Sequence, residues 1–243
     1  MSNNYGPSIA TSGLVLYLDA VNSKSNNGTT TWYDMSPSKV NGTMYGTVPT
    51  STDGRGCFDF ATVTGAGASS ASLGFTFASN MIPTTGSFTF STWIKNPPTN
   101  AGQCGLFSNA GGADGYRFGI GRDACYVLNG GAGAVGYSEP QLGFTSTLTT
   151  TDWYNVVMIF DRAGTNSGGT AQWQLYSNGV LQTSTNMAAN ANTAFTNAAP
   201  GLVRSACCSL FTGKLSTFSA YSRALSATEV QQNFNALRAR FGL

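Results

Sequence analysis

Apolar residues along this chain come in short runs broken by Gly, Asn, Ser and Pro, the punctuation of an antiparallel sheet protein. Leu14-Val15-Leu16-Tyr17-Leu18 is a continuous apolar strand, and Cys57-Phe58-Asp59-Phe60 is a short one. From Ser87 to Lys95 the pattern alternates, with Phe88, Phe90 and Ile94 on one face. Tyr116 to Ile120 and Cys125 to Leu128 flank a Gly-Arg-Asp turn at 121–123. Trp153 to Phe160 is apolar on both faces, which places it centrally in a sandwich. Trp173 to Tyr176 and Val180-Leu181 flank Ser177-Asn178-Gly179. Asn-Gly between apolar runs predicts a hairpin, because both turn residues must accept positive φ. Leu215 to Tyr221 is the last long strand.

The period changes once. Ser226-Ala227-Thr228-Glu229 is a capping box, in which the Ser side chain accepts from the N3 amide and Glu229 reaches back. Val230, Phe234, Leu237 and Phe241 follow at i, i+4, i+7 and i+11. The spacing predicts a helix over about 226–240. Its stripe packs on the domain itself or, in a second reading, stays exposed to dock a partner. The loops 108–115, 129–137 and 162–170 are glycine-rich, and 186–200 reads as an irregular Ala/Asn-rich surface segment. With no internal repeat or composition shift, residues 13–243 read as one sandwich domain. Residues 1–12 read as an extended arm in which Asn4, Tyr5, Pro7 and Ile9 dock a neighbouring subunit by adding to a sheet edge. The alternative is that the arm folds back on its own sandwich.

Composition narrows the setting. Charged residues are 9%, so the surface is built from Ser, Thr, Asn, Gln and Gly, as on many virion and cell-surface modules. The net charge of +2 comes with no basic stripe, which argues against nucleic acid as a partner. No apolar run approaches the ~20 residues of a membrane span. The start lacks a positive n-region and an apolar h-region, so synthesis in the cytoplasm without a signal peptide is expected. Cys57, Cys104, Cys125, Cys207 and Cys208 are odd in number and contain no Cys-x-x-Cys, and they read as buried, reduced thiols.

The segments in order carry a resemblance. Gly13 to Ala20 is followed by Thr31-Trp32-Tyr33-Asp34-Met35-Ser36, Asn41-Gly42-Thr43, Phe58-Asp59-Phe60, Ser87 to Ile94, and Trp153-Tyr154-Asn155-Val156-Val157. Asn178-Gly179, Gly213-Lys214-Leu215, Tyr221 to Ser226 and Glu229-Val230 complete the set. Together they resemble the laminin-G/concanavalin-A-like jelly-roll superfamily, in the subset abundant in virion proteins of tailed bacteriophages. The resemblance implies an all-β, two-sheet antiparallel jelly-roll sandwich with a short C-terminal helix. It leaves the ligand open, since members bind sugars, proteins or neighbouring subunits.

The chemistry points to binding. With no histidine, Ser-His-Asp and Cys-His mechanisms are excluded. Glycosidases need two carboxylates flanking one bond. Here the only glutamates are Glu139, before a proline, and Glu229, in the helix cap, and no Glu-x-Asp-x-Glu occurs. Asp53, Asp114, Asp123, Asp152 and Asp161 are the candidate calcium ligands. They read instead as turn formers and strand starts, so no metal or cofactor is expected. Asp34 reads as a loop organiser bonding backbone amides. For a sugar, the best patch is Asp114, Tyr116 and Arg117 opposite Asn129 and Tyr137. The two tyrosines also fit as strand residues near the core, and that reading comes first.

Resemblance and composition together lead to one functional expectation: a non-enzymatic bacteriophage virion structural protein. It would be a capsid decoration or a head- or tail-attached module on the virion surface. Its partners would be capsid or tail proteins and a host surface glycan, and a homo-oligomer is allowed. The alternative is a carbohydrate-binding receptor or adhesion module of a tail fibre. A polysaccharide hydrolase is the third reading.

Overall fold

Alternation along the strands decides which side chains meet. The computed structural model describes residues 8–60, 74–79, 81, 83, 86–99, 105–108, 116–129, 141–187, 200–203 and 211–243. One sheet is built from β1 (Leu14–Asp19), β4 (Thr50–Ser51), β5 (Cys57–Asp59), β7 (Phe88–Lys95), β12 (Trp153–Asp161), β13 (Gln172–Ser177), β14 (Val180–Asn186) and β16 (Lys214–Tyr221). The other is built from β2 (Thr31–Trp32), β3 (Gly42–Tyr45), β6 (Gly74–Phe77), β8 (Gly105–Ser108), β9 (Tyr116–Ile120), β10 (Ala124–Asn129), β11 (Gln141–Gly143) and β15 (Gly201–Leu202). The first runs β14-β13-β12-β7-β16-β5-β4, with β1 sharing the β5 side of β16. The second runs β11-β10-β9-β8-β15-β6-β3-β2. All pairings between these strands are antiparallel. This is the two-sheet jelly-roll sandwich that the strand pattern and the resemblance imply.

The inner faces meet through aromatic rings. Phe90 of β7 lies 4.7 Å from Phe107 of β8, 5.7 Å from Phe118 of β9 and 5.6 Å from Phe218 of β16. Trp32, Phe58 and Phe75 form a second group, with centroids 4.7 to 5.0 Å apart. β12 lies between β7 and β13, as its two apolar faces predict. The hairpin at Asn178-Gly179 has φ of 50° and 81° at its two turn residues.

The outer face of the first sheet is also covered, by α1 (Ala227–Leu237) and the 3-10 turn Arg238–Phe241. The predicted stripe packs inward on its own domain. Val230 joins Val157, Ile159 and Tyr176 in one buried apolar cluster. Phe241 stacks on Trp93 at 4.0 Å, with Phe234 at 5.8 Å from the same indole. Of the arm, Asn4, Tyr5 and Pro7 lie outside the described residues. Ile9 packs beside Ala10 and Leu14, and Asn233 of α1 takes the Ala10 N–H at 2.7 Å. Tyr221 donates to the Ala10 carbonyl and Gln232 to that of Ser8. Cys57 and Cys125 are free, buried thiols, and burial pushes the Cys57 thiol up to about 11. Cys104, Cys207 and Cys208 lie outside the described residues, as does most of the 186–200 segment.

The helix start supplies a pH test. Ser226 Oγ accepts from the Glu229 amide at 3.3 Å, and Glu229 accepts from the Ser226 amide at 3.0 Å. Arg223 clamps the same carboxylate. Its hydrogen bond is the main reason that the Glu229 carboxyl falls from 4.5 to about 2. A depressed carboxyl stabilises the fold above its unfolded value and loses that contribution as pH falls towards the folded one. Wild type should therefore exceed Glu229→Gln in urea midpoint at neutral pH. The two should converge between 4.5 and about 2. A gap that ignores pH would show that the clamp contributes nothing through ionisation.

Candidate functional site

Strand pairing places only part of the sequence-predicted sugar patch. Tyr116 pairs with Asn129, and Arg117 with Leu128, at the open end of the β9–β10 hairpin. Asp114 and Tyr137 lie outside the described residues.

A second surface comes from strands too short to stand out in the sequence. On β6, Phe75 and Phe77 point into the core, so Thr76 faces away from it. The register continues this outward row as Thr76–Thr43–Thr31 across β6, β3 and β2. Tyr45, two residues beyond Thr43, shares that face and is 53% exposed. The Thr76 hydroxyl donates to the Thr43 carbonyl at 3.4 Å. These four residues form an uncharged rim of hydroxyls beside an exposed phenol ring.

The third feature is a cleft of about 390 Å³ at the opposite sheet. It opens between the 3-10 turn Asp53–Arg55, the end of β7, the start of β12 and the chain after Arg238. Asp53 is its anchor. The carboxylate takes Lys95 Nζ at 2.9 Å, Lys214 Nζ at 3.0 Å and the Trp153 indole at 3.0 Å. Burial by itself would raise the Asp53 carboxyl, but these three donors outweigh it and hold the group well below the usual carboxylate range. Arg240 closes the other wall, donating to Asp19 at 2.8 Å, Ser216 at 2.6 Å and the Gly54 carbonyl at 3.4 Å. The sequence shows Asp53-Gly54 as a turn. Its partners, 42 to 161 residues away, are set by sheet register alone (Lys95 minus Asp53, Lys214 minus Asp53).

A sequence profile described as the concanavalin A-like lectin/glucanases superfamily matches residues 67–231. The chain belongs to this superfamily. No curated protein matches it. Several solved structures share its fold. The binding domain of Paraclostridial mosquitocidal protein 1 superposes with a TM-score of 0.67 at 16% identity, over 91% of this chain and 52% of its own. Botulinum neurotoxin type C, which depends on interaction with two ganglioside molecules to enter cells, gives 0.66 at 14%, over 93% and 51%. The binding domain of botulinum neurotoxin DC, in complex with rat synaptotagmin II, gives 0.65 at 14%, over 93% and 52%. The likeness is one of fold, and the chain spans about half the length of each.

Set within this lectin/glucanase superfamily, most of the acidic residues on view are engaged in holding loops and turns. Asp34 accepts from the Tyr17, Ser36 and Val40 amides and from Ser36 Oγ, the loop-organising role its position predicts. Asp161 accepts from the Thr165 and Asn166 amides. Asp152 holds Thr149 and Thr151, and Asp123 sits exposed on the β9–β10 turn. Among the described residues, no three of His, Cys, Asp and Glu gather where they could hold a metal ion. No described helix is long and apolar enough to cross a membrane.

Proposed function

We propose that this chain is a non-enzymatic recognition module that binds carbohydrate through the β2–β3–β6 face. The observation that carries the proposal is Tyr45 standing 53% exposed beside the Thr31–Thr43–Thr76 row. An exposed aromatic is an informative exception to burial. Its ring supplies an apolar face for sugar C–H groups and the threonines supply neutral hydroxyl partners. The fold neighbours support the reading, being receptor-binding domains whose ligands include a ganglioside and a protein. The carboxylates support it too. A glycosidase acid needs a raised pKa, whereas Glu229 and Asp53 are both pulled down by cations.

A glycan array probed with the chain should show binding, and Tyr45→Ala should weaken the best ligand about tenfold by calorimetry. An array without a hit, or Tyr45→Ala binding as wild type does, would reject the proposal. A loss at Tyr116→Ala with Tyr45→Ala unaffected would move the site to the open end of the β9–β10 hairpin.

The finer setting we propose is a bacteriophage virion surface, with capsid or tail proteins as neighbours. Low charge and the ordered segment resemblance support it. Electron microscopy of purified particles would test it, by presence or absence of the sandwich on the head or tail.

A further inference from the structure

The Asp53 cleft carries a different chemistry from the threonine–tyrosine face. Most of its charges are spent on one another, as the Asp53 and Arg240 contacts show. Two charged side chains on its walls are left over. Arg55 is exposed, and among the described residues its side chain has no hydrogen-bond or ion-pair partner. Asp152 is exposed, and its carboxylate accepts only from neutral hydroxyls, Thr149 at 2.6 Å and Thr151 at 3.3 Å.

Arg55 is also held in an unfavourable backbone state. Its φ is 65°, between Gly54 at 58° and Gly56 at 142°. A glycine would adopt this conformation freely, and a residue with a Cβ does so at a cost. The turn is over-determined from below by the Asp53 clamp and by Arg240 on the Gly54 carbonyl. Strain maintained by surrounding contacts, with a free cationic side chain at the mouth of a cleft, is a reason to look for a ligand.

The residues define what that ligand must offer. A guanidinium fork pairs with a carboxylate through two parallel N–H donors. The Lys95 ammonium has three protons, and Asp53 is its partner for one, so it can add a donor beside the fork. An ionised Asp is an acceptor only, so Asp152 calls for hydroxyl donors. One molecule with a carboxylate at one end and hydroxyls at the other satisfies both. The volume of about 390 Å³ lies within the range of small-molecule sites. We infer that this cleft binds a carboxylate-bearing sugar, with the acid at Arg55 and Lys95 and ring hydroxyls at Asp152 and Thr151. The inference does not depend on the β2–β3–β6 face.

The test is a nitrogen-15 NMR titration of the full chain with sodium glucuronate and sodium N-acetylneuraminate, with glucose as the uncharged counterpart. At least one acid should shift the Trp153 indole and Arg55 amide signals, and glucose at equal concentration should leave them in place. Arg55→Gly relieves the φ while removing the guanidinium. It should weaken the acid about tenfold or more while the thermal midpoint holds or rises. Arg55→Gln, which keeps the stem without the charge, should give the same loss. The inference falls if both acids leave those signals unmoved, if glucose shifts them equally, or if both Arg55 variants titrate like wild type.

Discussion

Phe90→Ala is expected to remove about 3–5 kcal/mol of stability, the range for emptying a buried Phe site. Phe90 is 2% exposed and lies where rings from β7, β8, β9 and β16 converge. Phe88 of its own strand adds a fourth neighbour at 5.2 Å. The surrounding rings sit on paired strands of both sheets, so they cannot close over the gap without shifting a ladder. Global stability of a domain is about 5–15 kcal/mol, so this one truncation takes a large share of it. For a chain of this length the thermal midpoint should fall by ~10 °C. Phe90→Leu should cost less than half as much, because most of the volume stays filled. Urea unfolding of the three proteins measures the series. Equal midpoints for wild type and Phe90→Ala would mean that the two sheets do not meet through this ring.

Asp34→Ala should cost about 3–5 kcal/mol, through a different mechanism. Asp34 is 3% exposed and accepts four hydrogen bonds at 2.7 to 2.9 Å. Three of the donors are backbone amides, of Tyr17, Ser36 and Val40, and alanine leaves all three without their acceptor. Tyr17 belongs to β1, so the loss reaches beyond the 34–40 loop into the first sheet. Asp34→Asn should fall about halfway, because the retained oxygen can serve Tyr17 and Ser36 while the new NH2 faces the Val40 donor. Amide exchange would localise the effect. Val40 should lose protection first in Asp34→Asn, and Tyr17, Ser36 and Val40 together in Asp34→Ala; unchanged protection at all three in Asp34→Ala would contradict the bonding scheme.

Local signals were legible in the sequence. The double-sided apolar run of β12, the Asn178-Gly179 turn and the Ser226 capping box each depend on residues near one another along the chain, and each stands where its pattern puts it. The short strands were not. β3, β6 and β15 are two to four residues long, and their place follows only from partners such as Thr76 with Gly201. The uncharged face therefore had no sequence signature, since Thr31, Thr43 and Thr76 become neighbours by register. The same holds for Asp53. Its turn was readable, but the lysines and indole that bind its carboxylate are supplied by β7, β16 and β12. Trp93 falls on the strand face opposite Phe88, Phe90 and Ile94, and with Trp153 it fills a smaller apolar layer between the first sheet and the helical end of the chain.

The pairing of β1 with β16, Leu14 opposite Tyr221, also governs how the molecule comes into being. About 200 residues separate the two strands, so the ribosome needs roughly 10–40 s after making the first before it can deliver the second. Within that interval β7 is made with neither neighbour, gains β12 once Trp153–Asp161 follows, and still lacks β16 on its other side until the end. The nascent chain therefore presents an open strand edge and an uncovered aromatic face. Folding is committed only when the last segments emerge, which makes yield sensitive to temperature and to chaperone supply during synthesis.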